Sequence, residues 1–376
     1  MSEIGVLVVD DSALMRNLIS RIVNGAPDLT VVGTAMNGEF ALSKIPRLKP
    51  DVIVLDLEMP EMNGLEFLQA RNDQGIDIPV IILSSVAEKG AKITMDALAL
   101  GASEFITKPS GSVSHDIHAV GDQLVAMLRG YGGRHRKQQG QEIPQPPPDH
   151  AVKTPQPHQD APAAATATRT EIPAERPGVP ELIVLGISTG GPNALRKVLA
   201  EIDSDIGLPI VVVQHMPPGF TTEFAQSLNR VSPLEVKEAA EGDLLKPNRV
   251  LIAPGNYHIE VEKRSLAGIV HLNQKDPQNG HRPSAGVLFS SAARHFGKHT
   301  LAVIMTGMGR DGAYEIGEVY TAGGMTIGQD EASSVVYGMP RVAQEQGYIH
   351  RQVSLDDMAA TLAAITAELR ETNART

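Results

Sequence analysis

Along the first third of the chain, short apolar runs alternate with stretches whose apolar residues return at helical spacing. The runs are Ile4 to Val9, Leu29 to Val32, Val52 to Leu55 and Val80 to Leu83, and Glu104 to Thr107 reads as a further short strand. Between them, Leu14, Leu18, Ile19 and Ile22 predict one helix; Phe40, Ala41, Leu42 and Ile45 a second; Leu65, Phe67 and Leu68 a third. Further helices are expected over Ala91 to Leu100 and roughly Asp116 to Leu128. Runs of four to eight apolar residues alternating with amphipathic helices predict a parallel sheet covered on both faces, an α/β fold.

The pattern then breaks and resumes. From Gly130 to Pro180 apolar periodicity disappears, and Pro, Gln, Ala and Thr dominate, as in Pro144-Gln-Pro-Pro-Pro148. This composition predicts a flexible tether, and the basic cluster Arg134-His-Arg-Lys137 within it reads as a docking site or, in preference, as the solvated end of the preceding helix. Alternation returns with Leu182 to Leu185, Leu208 to Val213, Arg249 to Ala253, Leu301 to Met305 and Met325 to Gly328 as strands. Helical spacing runs through Leu195 and Val198, Thr221 to Leu228, Val287 to Ala292, and Leu355 to Arg370, with Ser333 to Tyr337 left as a separate piece. Ile259 to Val261 and Ile269 to Leu272 read as an antiparallel hairpin. The expected organisation is a domain over 1–128, a linker over 129–179 and a second, mostly parallel α/β domain over 180–372.

In a parallel sheet, polar groups at the carboxyl ends of strands converge on one crevice. In the first domain those ends supply Asp10, Asp11, Asp56, Ser84 and Lys108. A lone aspartate there is ordinarily a cap or turn residue. Three carboxylates together would repel one another without a cation, and oxygen ligands without His or Cys favour Mg²⁺. A lysine and a hydroxyl beside the metal suit phosphoryl oxygens, and an aspartate can itself accept the phosphoryl group.

These residues, as Val8-Val-Asp-Asp-Ser12, Leu55-Asp-Leu-Glu-Met-Pro60, Ser84 and Lys108-Pro109, resemble the receiver domain of response regulators. The resemblance implies a flavodoxin-like sheet of five parallel strands, with Asp56 as the phosphorylation site. It implies Asp10, Asp11, Asp56 and the backbone carbonyl of Glu58 as Mg²⁺ ligands, Ser84 and Lys108 as phosphoryl-binding groups, and Phe105 as a switch aromatic. It also implies a histidine kinase as phosphodonor.

The second domain opens on Gly186-Ile-Ser-Thr-Gly-Gly-Pro192, a glycine-rich corner between a strand and a helix. Such a corner exposes Ser188 beside the positive end of a helix, where an oxyanion is stabilised; many such corners only bind a phosphate or pack tightly, and both readings stand at this point. His215 and Asp311 each follow another strand, so the three would meet at one sheet edge as nucleophile, base and orienting acid. Backbone N–H groups near Thr189 and in the loop Gly307-Met308-Gly309 would face the oxyanion. Tyr257 and His258 are further polar candidates of lower rank.

The stretches around Ser188, Gln214-His-Met-Pro217, Leu251-Ile-Ala-Pro-Gly255, Arg282-Pro-Ser284 and Thr306-Gly-Met-Gly-Arg-Asp-Gly312 are similar to the catalytic domain of chemotaxis protein-glutamate methylesterases. The resemblance implies Ser188, His215 and Asp311 as a catalytic triad needing no cofactor. It implies methyl-accepting chemoreceptors as substrate, with hydrolysis of glutamate γ-methyl esters and deamidation of glutamine. Ala285-Gly286 departs from the pattern, where a bulkier residue and an acid are expected.

Composition narrows this further. The chain has 376 residues, no Cys and no Trp, and a formal net charge of −11. The absence of cysteine removes disulfides and thiolate chemistry. The acidic balance argues against nucleic acid as a partner, and no helix-turn-helix pattern supports a transcriptional output. No apolar run is long enough to span a bilayer and no signal peptide is read. A cytoplasmic protein is expected, and the methylesterase resemblance implies association with receptor arrays, as a monomer. The rival reading is a receiver fused to a non-catalytic domain that binds a partner or nucleotide.

Overall fold

The computed structural model describes residues 3–84, 88–108, 114–144 and 177–374. The first layer structure runs β1 (Ile4–Val9), α1 (Ala13–Asn24), β2 (Leu29–Ala35), α2 (Gly38–Leu48), β3 (Val52–Asp56), α3 (Gly64–Asp73), β4 (Val80–Ser84), α4 (Glu88–Ala99), β5 (Glu104–Thr107) and α5 (Ser114–Gln138). Its strands pair in parallel in the order β2-β1-β3-β4-β5. The strands β1, β3 and β4 are buried along their whole length, which is why they read as unbroken apolar runs rather than alternating ones. Local chemistry starts the helices between them. Ser12 and Asn37 cap α1 and α2 by accepting from Met15 and Phe40 N–H. Asn63 and Glu66 form a reciprocal capping box at α3, satisfying two otherwise orphaned donors. The chain leaves β1 towards β2 on one side while β3 lies on the other, so the crevice falls between the ends of β1 and β3.

The second structure runs β6 (Leu182–Ile187), α6 (Gly191–Glu201), β7 (Ile210–Gln214), α7 (Phe220–Asn229), β8 (Glu235–Glu238), β9 (Arg249–Ile252), β10 (His258–Lys263), β11 (Gly268–Asn273), α8 (Ala285–Phe296), β12 (Thr300–Ile304), α9 (Ile316–Thr321), β13 (Met325–Gln329), α10 (Met339–Glu345), β14 (Arg351–Val353) and α11 (Met358–Ala374). Seven strands form a parallel sheet in the order β14-β13-β12-β6-β7-β9-β8, and β10 and β11 pair as a separate antiparallel hairpin. The α/β class, the five-stranded and mostly parallel sheets and the hairpin agree with expectation. Among the described residues, no helix is long and apolar enough to cross a membrane.

Four elements were not expected: the edge strands β8 and β14 and the short helices α9 and α10. In β8 only Val236 is fully buried, and in β14 only Val353 is, so neither carries a readable apolar pattern. Residues 333–337 form an irregular segment that ends in an isolated parallel bridge between Gly307 and Tyr337.

The end of α5 is a correction. The helix continues to Gln138, ten residues beyond the expected Leu128. Of the cluster 134–137 only Lys137 is exposed, so the solvated-end reading fails for the other three. His135 and Arg136 are buried; Arg136 pairs with Asp51 at 3.0 Å and donates to the Glu3 and Glu142 carbonyls. Arg134 donates to the Ala332 carbonyl in the second structure at 2.8 Å. A charge partner and waiting carbonyls turned a basic run into packing, which composition alone does not reveal. The proline-rich stretches 144–148 and 161–165 expected as tether lie outside the described residues, apart from Pro144, and so does Pro109.

Candidate active site and acidic crevice

The strands β12, β6 and β7 lie side by side at the centre of the large sheet, and the loops after them carry Asp311, Ser188 and His215. Ser188 follows β6 directly. Its N–H donates to the Thr306 carbonyl at 3.0 Å and its carbonyl accepts from Gly191 at 2.7 Å, so the turn is fixed from both ends. Gly190 has φ +84°, a left-handed conformation that glycine adopts without Cβ strain. At Gly307 a Cβ would come within 2.8 Å of the Ser188 Cβ; only glycine lets that loop approach the serine.

The three side chains meet. Ser188 Oγ lies 3.0 Å from His215 Nδ1, and His215 Nε2 lies 2.8 Å from Asp311 Oδ2. With the proton on Nε2, donated in a hydrogen bond to Asp311, Nδ1 is left as the acceptor facing the serine hydroxyl. Asp311 is 1 % exposed and holds four donors: His215 Nε2, Ala285 N–H at 2.7 Å, Ser284 Oγ at 2.5 Å and Asn279 Nδ2 at 3.3 Å. Burial works to raise its pKa, but the bond and charge of His215 together with Ser284 and Ala285 bring it down to about 2. Asp311 is therefore an ionised carboxylate throughout the neutral range, able to stabilise an imidazolium beside it.

Thr189 is buried immediately after the serine, its carbonyl held by Thr306 Oγ1 at 2.9 Å. Met308 is half-buried in the loop after β12. Tyr257 and His258 belong elsewhere. Tyr257 is partly exposed, and His258 is buried with Nε2 3.1 Å from the Asp276 carbonyl.

Sequence reasoning missed two residues here. His281 lies flat on His215, ring centroids 3.8 Å apart and planes 10° apart. Burial, and then the neighbouring His215, push its pKa down to about 4, so it is neutral at pH 7. Glu315 explains the departure at Gly286. A Cβ at 286 would lie 2.8 Å from the Glu315 carboxyl carbon; an acid occupies this space after all, from α9's N-cap rather than from position 286.

In the first structure, Asp10 and Asp56 are buried and Asp11 is exposed, and ligand oxygens of all three lie within 4.8 Å of one another. Lys108 Nζ bridges Asp56 at 2.8 Å and Asp10 at 3.3 Å. Asp56 Oδ1 accepts from Leu57 N–H at 2.8 Å and from Glu58 N–H at 3.4 Å. Burial and then the charge of Asp56 raise the Asp10 pKa. Asp10 Oδ2 is buried and makes no hydrogen bond. Three carboxylates converging within 4.8 Å, with Asp10 Oδ2 in an ion pair to Lys108 but in no hydrogen bond, fit a hard divalent cation. Ser84 ends β4 with its Oγ 2.6 Å from Thr94 Oγ1.

The two structures touch through β5. Asn193 Nδ2 donates to the Ala102 and Ser103 carbonyls, both at 2.9 Å. Phe105 stacks on Phe220 of α7, centroids 5.0 Å apart and planes 4° apart. Glu104 reaches into the serine turn, where its Oε2 accepts from Gly190 N–H at 2.6 Å. Burial pushes the Glu104 pKa up to about 7 against the opposing N–H bonds of Gly190 and Phe105.

Comparison with known proteins gives matches to both structures. The family model for the response regulator receiver domain matches residues 6–117, and that for CheB methylesterase matches residues 183–362. A protein-glutamate methylesterase/protein-glutamine glutaminase of Treponema denticola is 56% identical over 368 residues, covering 96% of this chain and 98% of that protein. One from Bacillus subtilis is 42% identical over 371 residues, covering 98% and 99%. The CheB methylesterase catalytic domain of Thermotoga maritima, a solved structure, is 37% identical, with a TM-score of 0.49, covering 50% of this chain and 98% of that one.

Proposed function

Because this chain belongs to the protein-glutamate methylesterase/protein-glutamine glutaminase family, we propose that Ser188, His215 and Asp311 carry its hydrolysis of glutamate γ-methyl esters on chemoreceptors. The observation that carries this reading is the continuous chain Oγ–Nδ1, Nε2–Oδ2 at 3.0 and 2.8 Å. His215 Nδ1 takes the Ser188 proton as Oγ attacks the ester carbonyl. The resulting oxyanion lies by the start of α6, near the N–H groups of Thr189 and the Met308 loop. The intermediate collapses as His215 returns the proton to the departing methoxide, giving methanol and an acyl-serine. Water then adds to the acyl carbon, losing a proton to His215, and Ser188 is released with that proton. A receptor glutamine follows the same path with ammonia leaving. Methylated receptor membranes and their glutamine-bearing counterparts test this: methanol and ammonia release both disappear in Ser188→Ala. Ammonia release that survives the substitution refutes a shared site.

The receiver supplies the control. Asp56 is the phosphoryl acceptor, from a histidine kinase. Asp10, Asp11, Asp56 and the Glu58 carbonyl would hold Mg²⁺, which when bound supplies positive charge beside the phosphoryl oxygens; Lys108 and Ser84 bind those oxygens. Strand β5 spans both ends of the device. Lys108, immediately after it, sits in the acidic crevice, while Glu104 and Phe105 hold the serine turn and α7, roughly 13 Å away at strand rise. The docked receiver restrains the Ser188 cleft, and phosphorylation shifts the population away from docking. A tenfold activation needs only about 1.4 kcal/mol of differential docking free energy.

Glu104 makes this restraint depend on pH. Its pKa is raised from the ordinary 4.5 to about 7 in the docked state, so docking binds a proton. That contribution is complete below about 4.5 and is lost as pH rises to about 7. The Tyr131 phenol packs nearby with its own pKa raised, by burial and then by Glu104, and so it adds no charge in this range. The ratio of phosphodonor-stimulated to unstimulated methanol release is expected to fall from pH 5.5 to 7.5. Glu104→Gln, which keeps an acceptor for Gly190 N–H, should make the ratio independent of pH. An unchanged slope in that variant removes Glu104 from the gate.

A further inference from the structure

Behind the triad, the segment from Gln278 to His281 closes a two-residue turn. Gln278 N–H donates to the His281 carbonyl at 3.1 Å, and His281 N–H donates to the Gln278 carbonyl at 2.9 Å. The central residues Asn279 and Gly280 have φ of +52° and +81°, the geometry for which Asn-Gly is the preferred pair. Three side chains of this turn point to the site. Gln278 Nε2 donates to Glu315 Oε1 at 2.9 Å, Asn279 Nδ2 reaches Asp311, and the His281 ring lies on His215. Glu315 is seated by the absence of a side chain at Gly286. Its Oε2 is buried with no hydrogen-bond partner, so its orientation rests on Gln278 and on the surrounding packing.

We propose that the Gln278–His281 turn, pinned to Glu315, is a positioning element that fixes the ring plane of His215 between Ser188 and Asp311. It rests on the esterase reading above and extends it to residues that act through His215 and Asp311. An imidazole has to hold two hydrogen bonds in one plane during proton transfer, and Ser188 and Asp311 alone leave it free to tilt about their common axis. A flat neighbour at 3.8 Å removes that freedom. His281 can do so without electrostatic cost because it is neutral when His215 becomes charged. Glu315 acts two steps away: it holds Gln278, Gln278 holds the turn, and the turn presents His281. Small errors in such placement cost rate rather than binding.

The test uses the full chain with phosphodonor and methylated receptor membranes. His281→Ala and Glu315→Ala are each expected to lower kcat about tenfold with KM within twofold of wild type. His281→Phe keeps a flat ring and Glu315→Gln keeps an acceptor for Gln278, so both should recover most of the rate. The phosphodonor activation ratio should not change in any of the four, which separates positioning from gating. If either alanine variant fails to fold, the conservative variant at that position and Gln278→Ala still decide the question. Wild-type kcat in both alanine variants overturns the proposal, as does a His281→Phe enzyme as slow as His281→Ala. Absence of methanol release from the wild type would instead overturn the esterase reading, and Ser188→Ala in the same assay tells the two failures apart.

Discussion

Replacing Ser188 by alanine is expected to lower kcat for methanol release by roughly 10⁶-fold, the loss seen when a triad nucleophile is removed. The acyl-serine route disappears, because among the described residues Ser188 has the one hydroxyl hydrogen-bonded to His215 Nδ1: Thr189, the next residue, is buried with its carbonyl tied to Thr306. What remains is the stabilisation of an oxyanion formed by water, worth roughly 10³-fold over the uncatalysed reaction. The fold should be undisturbed, since the Ser188 backbone bonds to Thr306 and Gly191 do not use the hydroxyl. Melting temperatures of the two proteins should therefore agree within a degree or two while their rates differ by orders of magnitude. A loss below about 100-fold would mean that Ser188 is not the nucleophile.

Asp311→Asn is expected to cost roughly 10⁴ in kcat. The substitution is nearly isosteric, so its effect lies in charge and proton placement. The carboxylate, held near pKa 2, is a permanent anion that accepts from His215 Nε2. An asparagine amide offers a donor there, favouring the tautomer with the proton on Nδ1, which cannot accept from Ser188. It also removes the charge that balances the imidazolium. Ser284 Oγ and Asn279 Nδ2 donate to Oδ1 and would hold the amide oxygen there, turning the amide nitrogen towards His215 and the Ala285 N–H that Oδ2 accepts in the wild type. Because of the depressed pKa, wild-type activity should not depend on titration of this group above about pH 4. The same pH series on Asp311→Asn should show low activity throughout rather than a displaced profile.

The alternation of apolar runs, glycines and polar strand ends made the two α/β sheets legible. Placing Asp10, Asp56, Ser188, His215 and Asp311 at carboxyl ends required only knowing that parallel strands converge there. The contacts that connect the two halves were not legible in this way. Glu104 reads as one more polar residue beside a strand, and nothing local says that its partner is Gly190 N–H in the other half of the chain. Arg136 reads as solvated because Asp51, which neutralises it, is 85 residues away. Gly286 was read as a missing acid; Glu315 fills that space from another element. The Asn279-Gly280 pair was a turn signal available in the sequence, but the stacking of His281 on His215 depends on where β7 and the 278–281 turn end in space. Strands β8 and β14 escaped because edge strands need bury only one residue.

The most direct measurement is methanol release from methylated receptor membranes by the intact chain, with and without a small phosphodonor and Mg²⁺, in wild type and Asp56→Asn. An esterase restrained through β5 predicts that release rises with phosphodonor in the wild type, about tenfold or more, and that Asp56→Asn stays at the unstimulated rate. Equal release with and without phosphodonor in the wild type would contradict the coupling of Asp56 to Ser188.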